Sequence, residues 1–163
     1  LREMYTLTAS YQETFHQEFL NITAAPRAED DISPAKKLKL LTSIHDYNPE
    51  DFDTLNIVLN VEGGHTFYDL NNRVKDIEKV IDNFNAFVAK GYKILYFTPT
   101  HLTPNEFITH AYGNKILTKG PLLPKGIGFS PYGKRIVENA YQNGVLIDIK
   151  HMSLVSRKIF YQL

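Results

Sequence analysis

No cysteine occurs among the 163 residues, which excludes disulfides and any thiolate metal site and leaves the compartment open. Neither sign of charge is in surplus. Lysine and arginine number 18 and aspartate and glutamate 18, so there is no electrostatic footprint for nucleic acid or an anionic membrane. No apolar stretch approaches the roughly 18 residues of a membrane span. A hydrophobic fraction of 43% and a charged fraction of 22% are those of a globular chain, not a disordered one. The length suits one ordinary domain with a real core. It falls short of a complete eight-stranded α/β barrel, which needs about 250 residues. The sequence opens on Leu1 without a methionine, as a fragment or a processed product would.

Periodicity supplies most of the elements. Met4, Leu7, Tyr11, Phe15, Phe19 and Ile22 recur at spacings of three and four, predicting a helix from Arg2 to Ile22. Thr23 to Pro34 reads as an exposed loop, and Lys36 to Ile44 stays open between a short helix and a strand. Asn48-Pro49-Glu50-Asp51 signals a turn. Leu55 to Val61 reads as a strand, and Leu70, Val74, Ile77, Ile81, Phe84 and Val88 place an amphipathic helix over Tyr68 to Lys90, ended by Gly91. Tyr92 to Phe97 is a second strand. Thr98 to Ser130 is a long Pro- and Gly-rich connection, of a length more often functional than idle. Pro131 opens a helix that Gly144 ends, Val145 to Ile149 is a third strand, and Ser153 caps a last helix running to Leu163. Alternation of this kind implies parallel strands with crossover helices.

Chemistry-bearing residues gather where those strands end. The run Leu55 to Val61 terminates in Glu62-Gly63-Gly64-His65. In a parallel α/β protein, ligands and metals are held at the carboxyl ends of strands. A carboxylate there can bind one metal or bridge two, and the two glycines admit close backbone approach. A solvated glutamate before a glycine turn explains the same residues equally well. His65 has three readings: a metal ligand, the start of the next helix, or a partner that orients Glu62, the last being the assignment adopted. His101 follows the second strand, at the presumed end that carries Glu62, where it can bind a substrate carbonyl or stabilise an oxyanion. His151 follows the third strand as a candidate zinc ligand, with Asp148 or a backbone carbonyl to fix its tautomer. His16, His45 and His110 are assigned surface positions. Each strand-end group alone is explained by a loop position, but three in succession at one rim are not.

On these residues the chain resembles the membrane dipeptidase (renal dipeptidase) family of zinc peptidases, within the amidohydrolase-like barrels. Val61-Glu62-Gly63-Gly64-His65 is similar to that family's glutamate motif, and Tyr96-Phe97-Thr98-Pro99-Thr100-His101 to its Leu-Thr-His segment. The stretch from Gly128 to Val137 resembles its Gly-Leu-Thr-x-Phe-Gly helix start, and Gly144 to Ser153 its strand end with a zinc histidine. The likeness spans Leu55 to Leu163 in consistent order. It departs at Lys150, where the family has a small residue before the zinc histidine, and at Pro99.

The resemblance implies a fold class of α/β, part of a (β/α)8 TIM-barrel-like metallohydrolase, with about three parallel strand–helix units and an N-terminal helix. Residues 1–163 would be a single domain cut from a larger barrel, with 1–50 an N-terminal helix and loop and 51–163 the strand–helix units. It further implies that Glu62 bridges two zinc ions and His151 ligates one, that His101 contacts a small peptide or amide substrate, and that His65 and Asp148 support the ligands. The family's His-x-Asp pair, a further zinc histidine and a catalytic aspartate would lie outside this sequence, leaving the chain alone inactive. A binding or structural module that has lost catalysis is the alternative, motivated by Lys150. Strand edges left unpaired on both sides are a liability, and self-association into a homo-oligomer stays open.

Overall fold

The structure, a computed structural model, describes residues 11–24, 37–68, 76–90, 93–102, 104–112, 123–124, 126 and 128–163. Within them the chain is mixed α/β, with four helices and five strands that form two small, wholly parallel sheets. No closed barrel is present among the described residues. Helix α1 is Tyr11–Ala24, α2 Ile77–Ala89, α3 Pro131–Gln142 and α4 Leu154–Phe160. Strands β1 (Lys37–Leu40) and β2 (Thr54–Ile57) pair with each other, while β3 (Leu59–Glu62), β4 (Ile94–Thr98) and β5 (Leu146–Ile147) make the second sheet in that order. No described helix is long and apolar enough to cross a membrane.

The run expected as one strand is two. Thr54 to Ile57 pairs with β1, the chain breaks register at Val58, and Leu59 to Glu62 pairs with β4. The alternation of burial explains the switch. Leu59 and Val61 are buried, whereas Leu55 and Val58 stay substantially exposed and Ile57 packs against the core only partly buried, so the second half supplies the fully buried residues. Lys36 to Ile44, open between helix and strand, contains β1, so part of the segment expected as N-terminal helix and loop is sheet.

Helix α2 begins later than the apolar period suggests. Tyr68 is extended, at φ −76° and ψ 140°, and closes a short 3₁₀ turn over Gly64–Phe67. Asp76 then caps α2, its carboxylate accepting from the backbone N–H of Glu78 at 3.1 Å and Lys79 at 3.4 Å. Leu70, Val74 and Gly91 lie outside the described residues, as do residues 2–10 of the first predicted helix, residues 25–36 and much of the long connection. The third strand is only two residues long, and the last helix stops at Phe160 rather than Leu163.

Aromatic packing holds the three-stranded sheet to its helices. Phe67, Phe84 and Phe97 are fully buried and meet edge to face or tilted, with ring centroids 5.0 to 5.7 Å apart. Phe87 extends the cluster to Phe67 at 5.6 Å and to Phe15 of α1 at 4.7 Å. Such geometry matches the ring quadrupoles and adds to the burial itself. On α3, Ile136, Val137 and Ala140 are buried, and Ser130 caps the helix by accepting from the Gly133 N–H. Gly133 lies so close to the Phe107 carbonyl that a Cβ there would stand 2.2 Å from its oxygen. Because Phe97 belongs to β4 and touches both the turn after β3 and α2, Phe97→Ala is expected to destabilise the fold by about 3–5 kcal/mol, read by urea denaturation.

Candidate metal centre

Parallel pairing brings three strand exits to one rim. Glu62 stands opposite Thr98 in the β3–β4 register, and Phe97 opposite Ile147 in the β4–β5 register. The ladder continues beyond the strands: the Gly63 N–H donates to the Thr98 carbonyl at 2.7 Å and the Gly64 N–H to the Pro99 carbonyl at 2.9 Å. Both glycines are required there. Gly63 has φ +102°, and a Cβ would meet His65 Cε1 at 2.2 Å. A Cβ on Gly64 would meet the Phe107 ring at 2.8 Å and the Pro99 carbonyl oxygen at 2.9 Å.

At that rim Glu62, His101 and His151 converge, with one ligand atom from each within 4.8 Å of the others. Glu62 Oε1 lies 3.0 Å from His151 Nε2, and Oε2 lies 3.7 Å from His101 Nε2. The two imidazoles meet edge to face, with centroids 4.7 Å apart. Two borderline imidazole nitrogens and one hard carboxylate oxygen form a donor set that zinc and its neighbours accept, and three protein ligands with an open position are the pattern of catalytic sites. The cluster can therefore hold a metal ion. His101, expected to touch substrate, has the geometry of a third ligand as well.

A fourth group meets the carboxylate. Lys150 Nζ lies 2.9 Å from Glu62 Oε1, the same oxygen that faces His151. The hydrogen bond from Lys150 is the largest influence holding the Glu62 carboxyl below its ordinary range, against the opposing effect of burial, and His101 adds to the lowering. The same contact raises Lys150. Burial holds His101 below its usual value, only partly offset by Glu62.

His65 occupies the 3₁₀ turn after β3, its ring beneath Gly63 and mostly buried. Burial, with a smaller contribution from His101, lowers its pKa to about 4, so it is neutral at physiological pH. Asp148 bonds to the Thr98 hydroxyl and the Lys150 backbone and not to the imidazole of His151. Its oxygens accept from Thr98 Oγ1 at 3.0 Å and from the Lys150 N–H at 2.8 Å, bracing the turn that carries His151.

The long connection also acts here, in a way its composition does not reveal. His110 pairs antiparallel with Met152, the Ala111 N–H donates to the His151 carbonyl at 2.7 Å, and the Ser153 N–H donates to the Thr109 carbonyl at 3.0 Å. His110 is consequently buried, with 2% exposure, and not on the surface as its isolated position in the sequence suggested. Arg157 of α4 completes the clamp, donating from Nη2 to the Lys150 carbonyl at 2.8 Å and from Nε to the Met152 carbonyl at 3.1 Å. No sequence signal marked Arg157, whose role is one of backbone capping. His16 and His45 are exposed.

On the other side of Glu62 a cleft of about 290 Å³ opens between α1 and β3, lined by Thr14, Phe15, Glu18, Asn60, Val61, Glu62 and Thr66. Glu18 sits on the polar side of an amphipathic pattern, so the sequence carried no hint of it. No family model matches the chain.

The His65 environment makes stability depend on pH. The folded pKa lies below the ordinary 6.5, so between about pH 6.5 and 4 the unfolded chain takes up a proton that the folded one does not. Stability therefore falls as pH drops through this window, by up to about 1.4 kcal/mol per pH unit from His65, and levels off below about pH 4. His101 acts in the same sense. Urea denaturation from pH 4 to 7 is expected to show a steeper dependence for the wild-type chain than for His65→Gln.

Proposed function

We propose that the chain is part of a zinc-dependent hydrolase of the membrane dipeptidase type, cleaving a peptide or related amide bond with a metal-activated water. The observation that carries this reading is the convergence of Glu62, His101 and His151, their ligand atoms within 4.8 Å, at the shared rim of three adjacent parallel strands. Parallel strands with α2 between β3 and β4 and α3 between β4 and β5 are compatible with a portion of a (β/α)8 barrel. Self-association would cover the open edges of such a portion.

Glu62 and His151 hold the ion in this reading. Zinc when bound supplies Lewis acidity, activating water near neutral pH and polarising the scissile carbonyl. The protein's own groups are set for that work. Glu62 is ionised because Lys150, His101 and His151 surround it. His101 has its basic form favoured by burial, leaving Nε2 a lone pair for a metal or, when protonated, a hydrogen bond for a developing oxyanion. A second ion bridged by Glu62, as the resemblance implies, would draw its remaining ligands from residues beyond these three. Lys150 on the Glu62 carboxylate favours a second reading, in which the site has exchanged its metal for an internal ion pair and the protein serves as a binding module.

Metal analysis decides between them. The purified protein is expected to bind zinc, and Glu62→Ala to weaken binding by more than the roughly 10–100-fold that follows loss of an outer-sphere partner. Dipeptide hydrolysis by the intact protein should fall in parallel. A protein without bound divalent ion, indifferent to Glu62→Ala, favours the binding module. His101→Ala separates the roles of that residue: a ligand lowers zinc affinity when removed, whereas a substrate contact lowers hydrolysis with affinity unchanged.

A further inference from the structure

Lys150 and a metal ion have the same place to go. Its ammonium contacts Glu62 Oε1 at 2.9 Å, and that oxygen also lies 3.0 Å from His151 Nε2. An ion bound between Glu62 and His151 would meet a positive charge at contact distance. The backbone at Lys150 is fixed on both sides, its N–H donating to Asp148 Oδ1 and its carbonyl accepting from Arg157 Nη2, each at 2.8 Å. Only the side chain has freedom, and at 55% exposure it can turn into solvent without opening the core. We infer that Lys150 is a built-in competitor for the metal, a resident cation that neutralises Glu62 in the empty site and withdraws when a divalent transition ion is bound.

The inference rests on the metal-binding reading of Glu62 and His151 and goes beyond it by assigning Lys150 control of affinity. An ammonium held by a half-exposed carboxylate is a modest obstacle, because solvent screens the pair. The competition therefore tunes occupancy without forbidding it. It sets a threshold of free metal below which the protein carries its own counter-ion.

Zinc affinity, measured by competition with a chromophoric chelator, tests this on the wild-type chain, Lys150→Met and Lys150→Arg. Met keeps the length of the stem without the charge, and Arg keeps the charge. Lys150→Met is expected to bind zinc on the order of tenfold more tightly than wild type, with Lys150→Arg close to wild type. Equal or weaker binding by Lys150→Met, with wild type still binding, overturns the role of Lys150 and leaves the metal site standing. Absence of binding in every variant overturns both. Circular dichroism checks that each variant folds, and Lys150→Gln carries the same expectation as Lys150→Met. Failure of both neutral variants to fold would also overturn the inference, since a side chain that leaves on metal binding cannot be what holds the fold.

Discussion

The parallel pairing of β3 with β4, carried past the strands by two backbone hydrogen bonds from Gly63 and Gly64, is the constraint on which the site depends. Without it Glu62 and His101 would leave the sheet on unrelated paths. With it, the segment Thr98-Pro99-Thr100-His101 is bound to the turn after Glu62 at two successive carbonyls. The price of so close an approach is side-chain volume, and both positions are glycine. At Gly63 the reason is the positive φ and the His65 ring, and at Gly64 it is the Phe107 ring and the Pro99 carbonyl. Site geometry and turn sequence are one statement in two forms.

Around this frame the charges settle as burial and proximity dictate. Two imidazoles, His65 and His101, are pushed toward neutrality by burial, while the half-exposed Glu62 stays ionised because a cation is close by. At the rim that carboxylate faces the rings of His101 and His151, with the ammonium of Lys150 to balance its charge. A divalent cation can use all of the first three groups and has to replace the fourth.

The site was more legible in the sequence than the fold around it. A carboxylate or imidazole at or shortly after the end of an apolar run marks a strand exit, and exits of parallel strands share a rim, so the order of predicted strands already grouped Glu62, His101 and His151. The break at Val58 was hidden because Ile57, Val58 and Leu59 form an unbroken apolar triplet, which does not disclose which partner strand each half of the run pairs with. The true start of α2 was masked by apolar residues that continue the helical period upstream of Asp76. The clamp of residues 109–111 on His151 was illegible for a different reason. It is made of backbone hydrogen bonds, which any sequence can form, between segments separated by about 40 residues.

That clamp divides the site into fixed and movable parts. His151 is held through its own carbonyl by Ala111, Met152 by the bridge to His110 and by Arg157, and Ser153 by Thr109 and its cap to Ser156. Ser156, buried, adds its hydroxyl to the Thr109 carbonyl at 2.8 Å, tying α4 to the same strand-like segment. A ligand positioned by this many independent bonds cannot follow a wandering partner, so any adjustment at the rim falls on the side chains that project from it into solvent. Lys150 is the residue so placed: its backbone belongs to the rigid turn, and its ammonium alone reaches the carboxylate. If the rim holds a metal, a cation carried on a fixed turn and free to move only at its side chain would tune affinity without altering the geometry of Glu62 or His151.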